Sequence, residues 1–198
     1  MSSFHDIIIS RTRVKIIELF FTNQEKLFYV REIARATHEQ VNAVRRELAR
    51  LLGTGLLKSE ERGNRLYYQL NPRYIFYSEL NQMVVKSTGL GKKIRKNRRK
   101  LGQLDFVMFA GKYVQKITPS PNEVDMLFIG EIVLTELKEL IKEEEKEIGR
   151  EINYAVFSLS EFEFRKSRRD PFILDILYGS RVMLIGNEVE FAARKPQV

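Results

Sequence analysis

The chain has no cysteine and only two histidines. A disulfide framework and a thiolate metal site are therefore impossible, and little remains from which to build a zinc centre. No apolar run approaches the roughly 18 residues needed to span a bilayer. The segment Met1 to Ser10 also lacks the basic-then-apolar layout of a secretory signal. The expectation is a cytoplasmic protein with no membrane partner, no metal and no resident cofactor. Its 198 residues, 43% hydrophobic and 30% charged, suffice for one generous core or two small ones.

Charge is divided unequally along the chain. Residues 1–104 carry 21 Lys and Arg against 9 Asp and Glu, whereas residues 105–198 carry 13 against 17. A half at +12 joined to a half at −4 points to a polyanionic partner for the first half and another role for the second.

Apolar residues Val14, Ile16, Ile17, Leu19, Phe20 and Phe21 follow helical spacing after Ser10 or Thr12, either of which could cap a first helix. Leu27 to Tyr29 is a short β-prone run, and Val30 to Ala36 reads as a second helix with Ile33 and Ala34 turned inward. A third helix starts between His38 and Val41, carries Val41, Val44, Leu48, Leu51 and Leu52 at core spacing, and stops at Gly55. Two strand-like runs, Leu56 to Ser59 and Arg65 to Leu70, flank the turn residues Arg62-Gly63-Asn64.

This order resembles the winged helix of ArsR-like regulators over residues 10–71. Arg31-Glu32-Ile33-Ala34-Arg35-Ala36-Thr37, Val44-Arg45-Arg46-Glu47-Leu48-Ala49-Arg50-Leu51 and Gly55-Leu56-Leu57 carry the likeness. His38-Glu39 stands where a turn glycine is usual. The resemblance implies that the third helix reads double-stranded DNA through Gln40, Asn42, Ala43, Arg45, Arg46 and Arg50, with Arg62 and Arg65 of the wing on phosphates or in the minor groove. The plainer reading of the same face is a solvated helix with a salt bridge at Glu47.

Between residues 72 and 103 lies a connector. Tyr74, Ile75, Tyr77, Leu80, Met83, Val84 and Val85 form an apolar stripe on a helix expected to end near Gly89. It is suited to a homodimer on paired half-sites or to packing against the second domain. Lys92 to Lys100 then places seven basic residues in nine positions. They form a solvated face, extra DNA contacts, or an attractor for nucleotide or RNA.

Residues 104–198 read as an α+β domain. Strands are expected at Asp105 to Ala110, Glu123 to Gly130 and Ile152 to Phe157, with a loop at Thr118-Pro119-Ser120-Pro121 and a charged helix from Val133 to Gly149. An apolar strand, Gly111-Lys112, then Glu123-Val124-Asp125 resemble the minimal nucleotidyltransferase domain. Ser158 to Phe162, Arg165, Pro171 to Gly179 and Leu184 to Gly186 resemble the end of regulators that fuse a winged helix to such a domain. Active members place a serine after the glycine and hold two Mg²⁺ ions with three carboxylates. Here the serine is Lys112, the first carboxylate is Glu123, Asp125 is unchanged, and Asn153 occupies the third position.

The implied domain is catalytically inactive, with Mg²⁺ weak or absent. It keeps Gly111, Lys112, Glu123 and Asp125 as candidate contacts to a nucleotide or phosphate-bearing ligand. On the plainer reading Glu123 and Asp125 only flank a loop and Lys112 pairs with one of them. Three functions stay in play: a transcriptional regulator, a nucleotidyltransferase guided to nucleic acid by its winged helix, and a winged-helix assembly module without a DNA target.

Overall fold

The computed structural model describes residues 8–117, 120 and 123–193. Thr118, Pro119 and Pro121 of the expected loop, and all of Met1 to Ser10 except its last three residues, lie outside them. The chain is mixed α/β and divides into two compact units, Met1–Thr88 and Gly89–Val198. No described helix is long and apolar enough to cross a membrane.

The first unit begins with α1 (Arg11–Thr22), whose first turn is capped by Ser10, the side chain accepting from the Arg13 backbone N–H. β1 (Phe28–Tyr29) leads directly into α2 (Val30–Thr37), and the Glu32 carboxylate accepts from the Tyr29 backbone N–H at its start. α2 ends at His38, which itself takes the left-handed conformation at φ 56° and so performs the task for which glycine is usual. α3 (Val41–Gly53) follows, then the hairpin β2 (Leu57–Arg62) and β3 (Arg65–Leu70), paired from Leu57↔Leu70 to Arg62↔Arg65. Gly63 sits in the two-residue turn at φ 60°, where a side chain would be strained.

β1 pairs with β3, giving an antiparallel sheet in the order β1-β3-β2. Three helices and this sheet enclose one core built on Ile16, Ile17, Phe20, Phe21, Ile33, Val44, Leu48 and Tyr68. The element order is the one expected of a winged helix.

One core assignment on α3 needs correction. Val41 is 37% exposed, because the inward stripe of α3 passes through Val44, Leu48 and Leu51, with Leu52 partly buried against the same core. The expected connector helix is also shorter, α4 (Tyr77–Ser87), and a separate α5 (Gly89–Lys96) begins after Thr88. Val84 joins the core of the first unit, with Tyr77, Leu80 and Met83 packed against it and the Tyr77 ring 5.0 Å from Phe21. The inner part of the stripe is therefore used within the first unit, whereas Ile75 and Phe76 remain exposed.

The second unit continues with β4 (Gly102–Ala110), α6 (Gly111–Val114), β5 (Met126–Ile132), α7 (Leu134–Ile148), β6 (Tyr154–Phe157), α8 (Leu159–Ser167), α9 (Pro171–Tyr178), β7 (Arg181–Ile185) and α10 (Glu188–Ala192). The four strands lie in the order β6-β5-β4-β7, with β5 parallel to β6 and β4 antiparallel to both neighbours. Met108, Leu127 and Ile129 meet Phe162, Ile173 and Phe191 of the last three helices. Val107, Phe109 and Phe128 alternate with them along the strands and are equally buried, so both faces of the sheet are covered.

The expected strand from Glu123 begins three residues later, at Met126. Glu123 and Asp125 lie in the loop before it, each held by a side-chain ion pair.

Candidate nucleic-acid interface and second-unit pocket

α3 is fixed from below by a buried carboxylate. Glu47 accepts from Arg13 Nε at 2.8 Å, from Ser10 Oγ at 3.0 Å and from Arg50 Nη1 at 3.0 Å. Burial disfavours its charge, but the hydrogen bonds from Arg13 and Ser10 and the charges of Arg13 and Arg50 outweigh it and hold its pKa below the ordinary value. Beside it, Glu39 accepts from Lys15 Nζ at 2.6 Å and Thr12 Oγ1 at 3.0 Å, and the Lys15 hydrogen bond in particular lowers its pKa. Lys15 Nζ also donates to Thr37 O at 3.1 Å. α1 is thus tied to the α2–α3 turn and to the body of α3. Charge pattern alone did not assign these roles to Glu39 and Glu47; the signal was an acidic residue beside the apolar stripe of a basic helix.

With the inner side anchored, Gln40, Asn42, Arg45, Arg46 and Arg50 are exposed, and Ala43 is half-buried. Arg50 gives its charge to Glu47. Arg45 and Arg46 are in no ion pair or hydrogen bond among the described residues, which leaves two guanidinium groups on one helix face able to meet an external acceptor.

On the hairpin, Arg62 pairs with Glu60 and lies 5.8 Å from the Tyr67 ring centroid, while Arg65 lies 4.8 Å from that of Tyr29. Both arginines stay exposed, their guanidinium groups near aromatic rings, with Arg62 engaged by Glu60 through Nε.

In the second unit a cavity of about 450 Å³ is lined by residues of β4, α6, the loop before β5, α9 and the loop before β7. Gly111, Lys112 and Glu123 line it, but Asp125 does not. Lys112 Nζ reaches both Glu123 oxygens, at 2.6 and 2.7 Å, and the Ser120 backbone N–H donates to Glu123 Oε2 at 2.8 Å. These contacts, led by the Lys112 hydrogen bond, hold the Glu123 pKa below its ordinary value.

Asp125 is fully buried and receives Arg150 in a fork, Nη1 to Oδ2 at 2.8 Å and Nη2 to Oδ1 at 2.9 Å. The Asn153 N–H adds a bond of 3.0 Å, and the Asp125 N–H donates to Asn153 O at 2.7 Å. Asp125 and Arg150 form a strut that ties the start of β5 to the segment before β6, and the Arg150 guanidinium lies 5.5 Å from the Tyr113 ring. The four residues expected around a nucleotide are therefore split: three share the cavity and the fourth faces Arg150. Among the described residues no group of three His, Asp or Glu is placed to hold a metal ion.

No protein-family model and no curated protein matches the chain. Solved structures similar to parts of it include a mutant of Lactococcus lactis ZitR in complex with DNA, at 19% identity and TM-score 0.38 over 52% of this chain and 66% of that one. NadR in complex with 4-hydroxyphenylacetate aligns at 18% identity and TM-score 0.36, over 47% of this chain and 63% of the other. Human N-acetylserotonin methyltransferase in complex with SAM aligns at 12% identity and TM-score 0.32, over 86% and 44%. The chain spans less than two thirds of each of these three, and all three are distant likenesses.

Proposed function

We propose that this chain is a sequence-specific DNA-binding transcriptional regulator that reads the major groove with α3. The observation that carries the reading is the pair Arg45 and Arg46, exposed and without ion-pair partners among the described residues, on a helix braced through Glu47. Arginine can grip guanine bidentately, and Gln40 and Asn42 on the same exposed face suit adenine. Arg62 and Arg65 serve the adjacent phosphates or the minor groove. The +12 charge of the first 104 residues supplies the long-range attraction.

On this reading the second unit is an inactive nucleotidyltransferase-like domain used for ligand binding or assembly. Asp125 supports inactivity, since its oxygens are occupied by Arg150 and the Asn153 N–H. The regulator works as a homodimer, with Ile75 and Phe76 the exposed apolar residues available to a second copy. Selection of bound fragments from a random duplex library, followed by titration of the recovered sequence, tests the function. Enrichment of one motif supports it, and recovery of no motif overturns it.

A further inference from the structure

The cavity of the second unit has a charge balance that conflicts with a phosphate ligand. Its charged lining residues are Lys112, Glu123 and Asp175. Lys112 is already engaged by both oxygens of Glu123. Asp175 is exposed, and its carboxylate has no hydrogen-bond or ion-pair partner among the described residues. The lining therefore carries one net negative charge, and a phosphate would have to displace Glu123 from Lys112 while facing Asp175.

The remaining lining is consistent with the opposite sign. Asp175, Ile176, Gly179 and Ser180 lie at the C-terminal end of α9, whose last carbonyls are already capped by Arg181, so that the Asp175 carboxylate is the acceptor left open there. Arg181 is the competing cation there, but one of its terminal nitrogens is spent on the Ile176 and Leu177 carbonyls and the other on Glu188. The Ser180 side chain packs over Gly111, so closely that a Cβ on Gly111 would stand 1.8 Å from Ser180 Oγ. This holds the hydroxyl at the wall of the cavity that Asp175 also lines. Met108, Ala110, Val124, Phe172 and Ile176 supply an apolar floor.

A free carboxylate and a hydroxyl over an apolar floor offer acceptors to a group that brings donors and a positive charge, and an ammonium group brings both. The volume of about 450 Å³ suits a small molecule.

We infer that this cavity binds a small apolar molecule bearing a primary amine, with the ammonium group on Asp175 and Ser180 and the apolar body against Met108, Val124, Phe172 and Ile176. The inference rests on the reading of the second unit as a ligand-binding domain and names the ligand class. It excludes nucleoside triphosphates from the same space.

Isothermal calorimetry on the full chain, without DNA, separates this from the DNA-binding reading, which only the duplex titration tests. Benzylamine, benzyl alcohol, benzoate and ATP with Mg²⁺ serve as probes at millimolar concentration. Benzylamine binds saturably and at least tenfold more tightly than its neutral and anionic counterparts, and Asp175→Asn weakens it at least tenfold. The wild-type series alone decides the sign of the ligand if that variant does not fold. Equal binding of the alcohol, preference for benzoate or ATP, absence of benzylamine binding, or unchanged benzylamine affinity in folded Asp175→Asn overturns the inference.

Discussion

Glu47 of α3 accepts the Arg13 guanidinium of α1 at 2.8 Å from a site where its side chain is only 8% exposed. The residue read from sequence as one end of a salt bridge on a solvated helix face is also the brace that ties that helix to α1. Replacing it with alanine leaves Arg13 and Ser10 without their acceptor and should lower stability by about 1–3 kcal/mol. Urea unfolding of Glu47→Ala measures this, and a loss below a few tenths would show that the network contributes nothing.

Glu39 and Glu47 also set a pH dependence. Both have folded-state pKa values below the ordinary value of 4.5. The unfolded chain thus binds protons more readily than the folded one, and their stabilisation is fully present above pH 4.5 and lost as the pH falls through the folded values. Unfolding midpoints taken from pH 7 down to pH 3 should decline below about pH 4.5, and Glu39→Gln with Glu47→Gln should flatten that decline. An equally steep decline in the double variant would assign acid sensitivity to other carboxylates.

Arg45→Ala with Arg46→Ala should abolish recognition of the selected operator without changing the fold, since both side chains are exposed. Each lost base contact costs about 1–3 kcal/mol, or roughly 5- to 150-fold in affinity. Fluorescence anisotropy on the specific duplex and a scrambled one reads the difference. Unchanged discrimination in a folded variant removes α3 as the reader.

The order of helices and hairpin in the first unit was legible because each of its elements is decided locally. Apolar periodicity marks α1 to α3, and Arg62-Gly63-Asn64 marks the hairpin. His38 shows how a departure from pattern is absorbed: the residue takes the left-handed conformation itself, and the turn survives without glycine. The α4 stripe was legible as apolar but not as to its partner, because spacing says which face is buried and not what covers it. Asp125 was harder still. The resemblance grouped it with Glu123 as a candidate contact to a nucleotide or phosphate-bearing ligand, and only the long-range approach of Arg150 reveals that the two carboxylates face different partners.

Arg150→Ala should therefore destabilise the second unit more than a surface substitution does. It strands a fully buried Asp125 carboxylate, a loss of about 3–5 kcal/mol for a broken buried pair. Thermal unfolding should show one transition shifted down while the transition of the first unit stays put. Wild-type melting in this variant would mean that solvent reaches Asp125 and that the strut is dispensable.

The basic run from Lys92 to Lys100 divides on structural grounds. Lys93 is committed to Glu144 at 2.9 Å and Glu147 at 2.7 Å, whereas Lys92, Lys96, Arg98, Arg99 and Lys100 are exposed and without ion pairs among the described residues. If they sit on phosphates in the DNA complex, each releases counterions, and neutralising one lowers the salt slope of log K by about 0.9. Replacing all five with glutamine should reduce the slope by about 2 to 4.5 and weaken specific and scrambled duplexes alike, leaving their ratio unchanged. An unchanged slope would make the run a solvated face. A changed ratio would instead place some of these side chains on base edges, because phosphate contacts carry no sequence information.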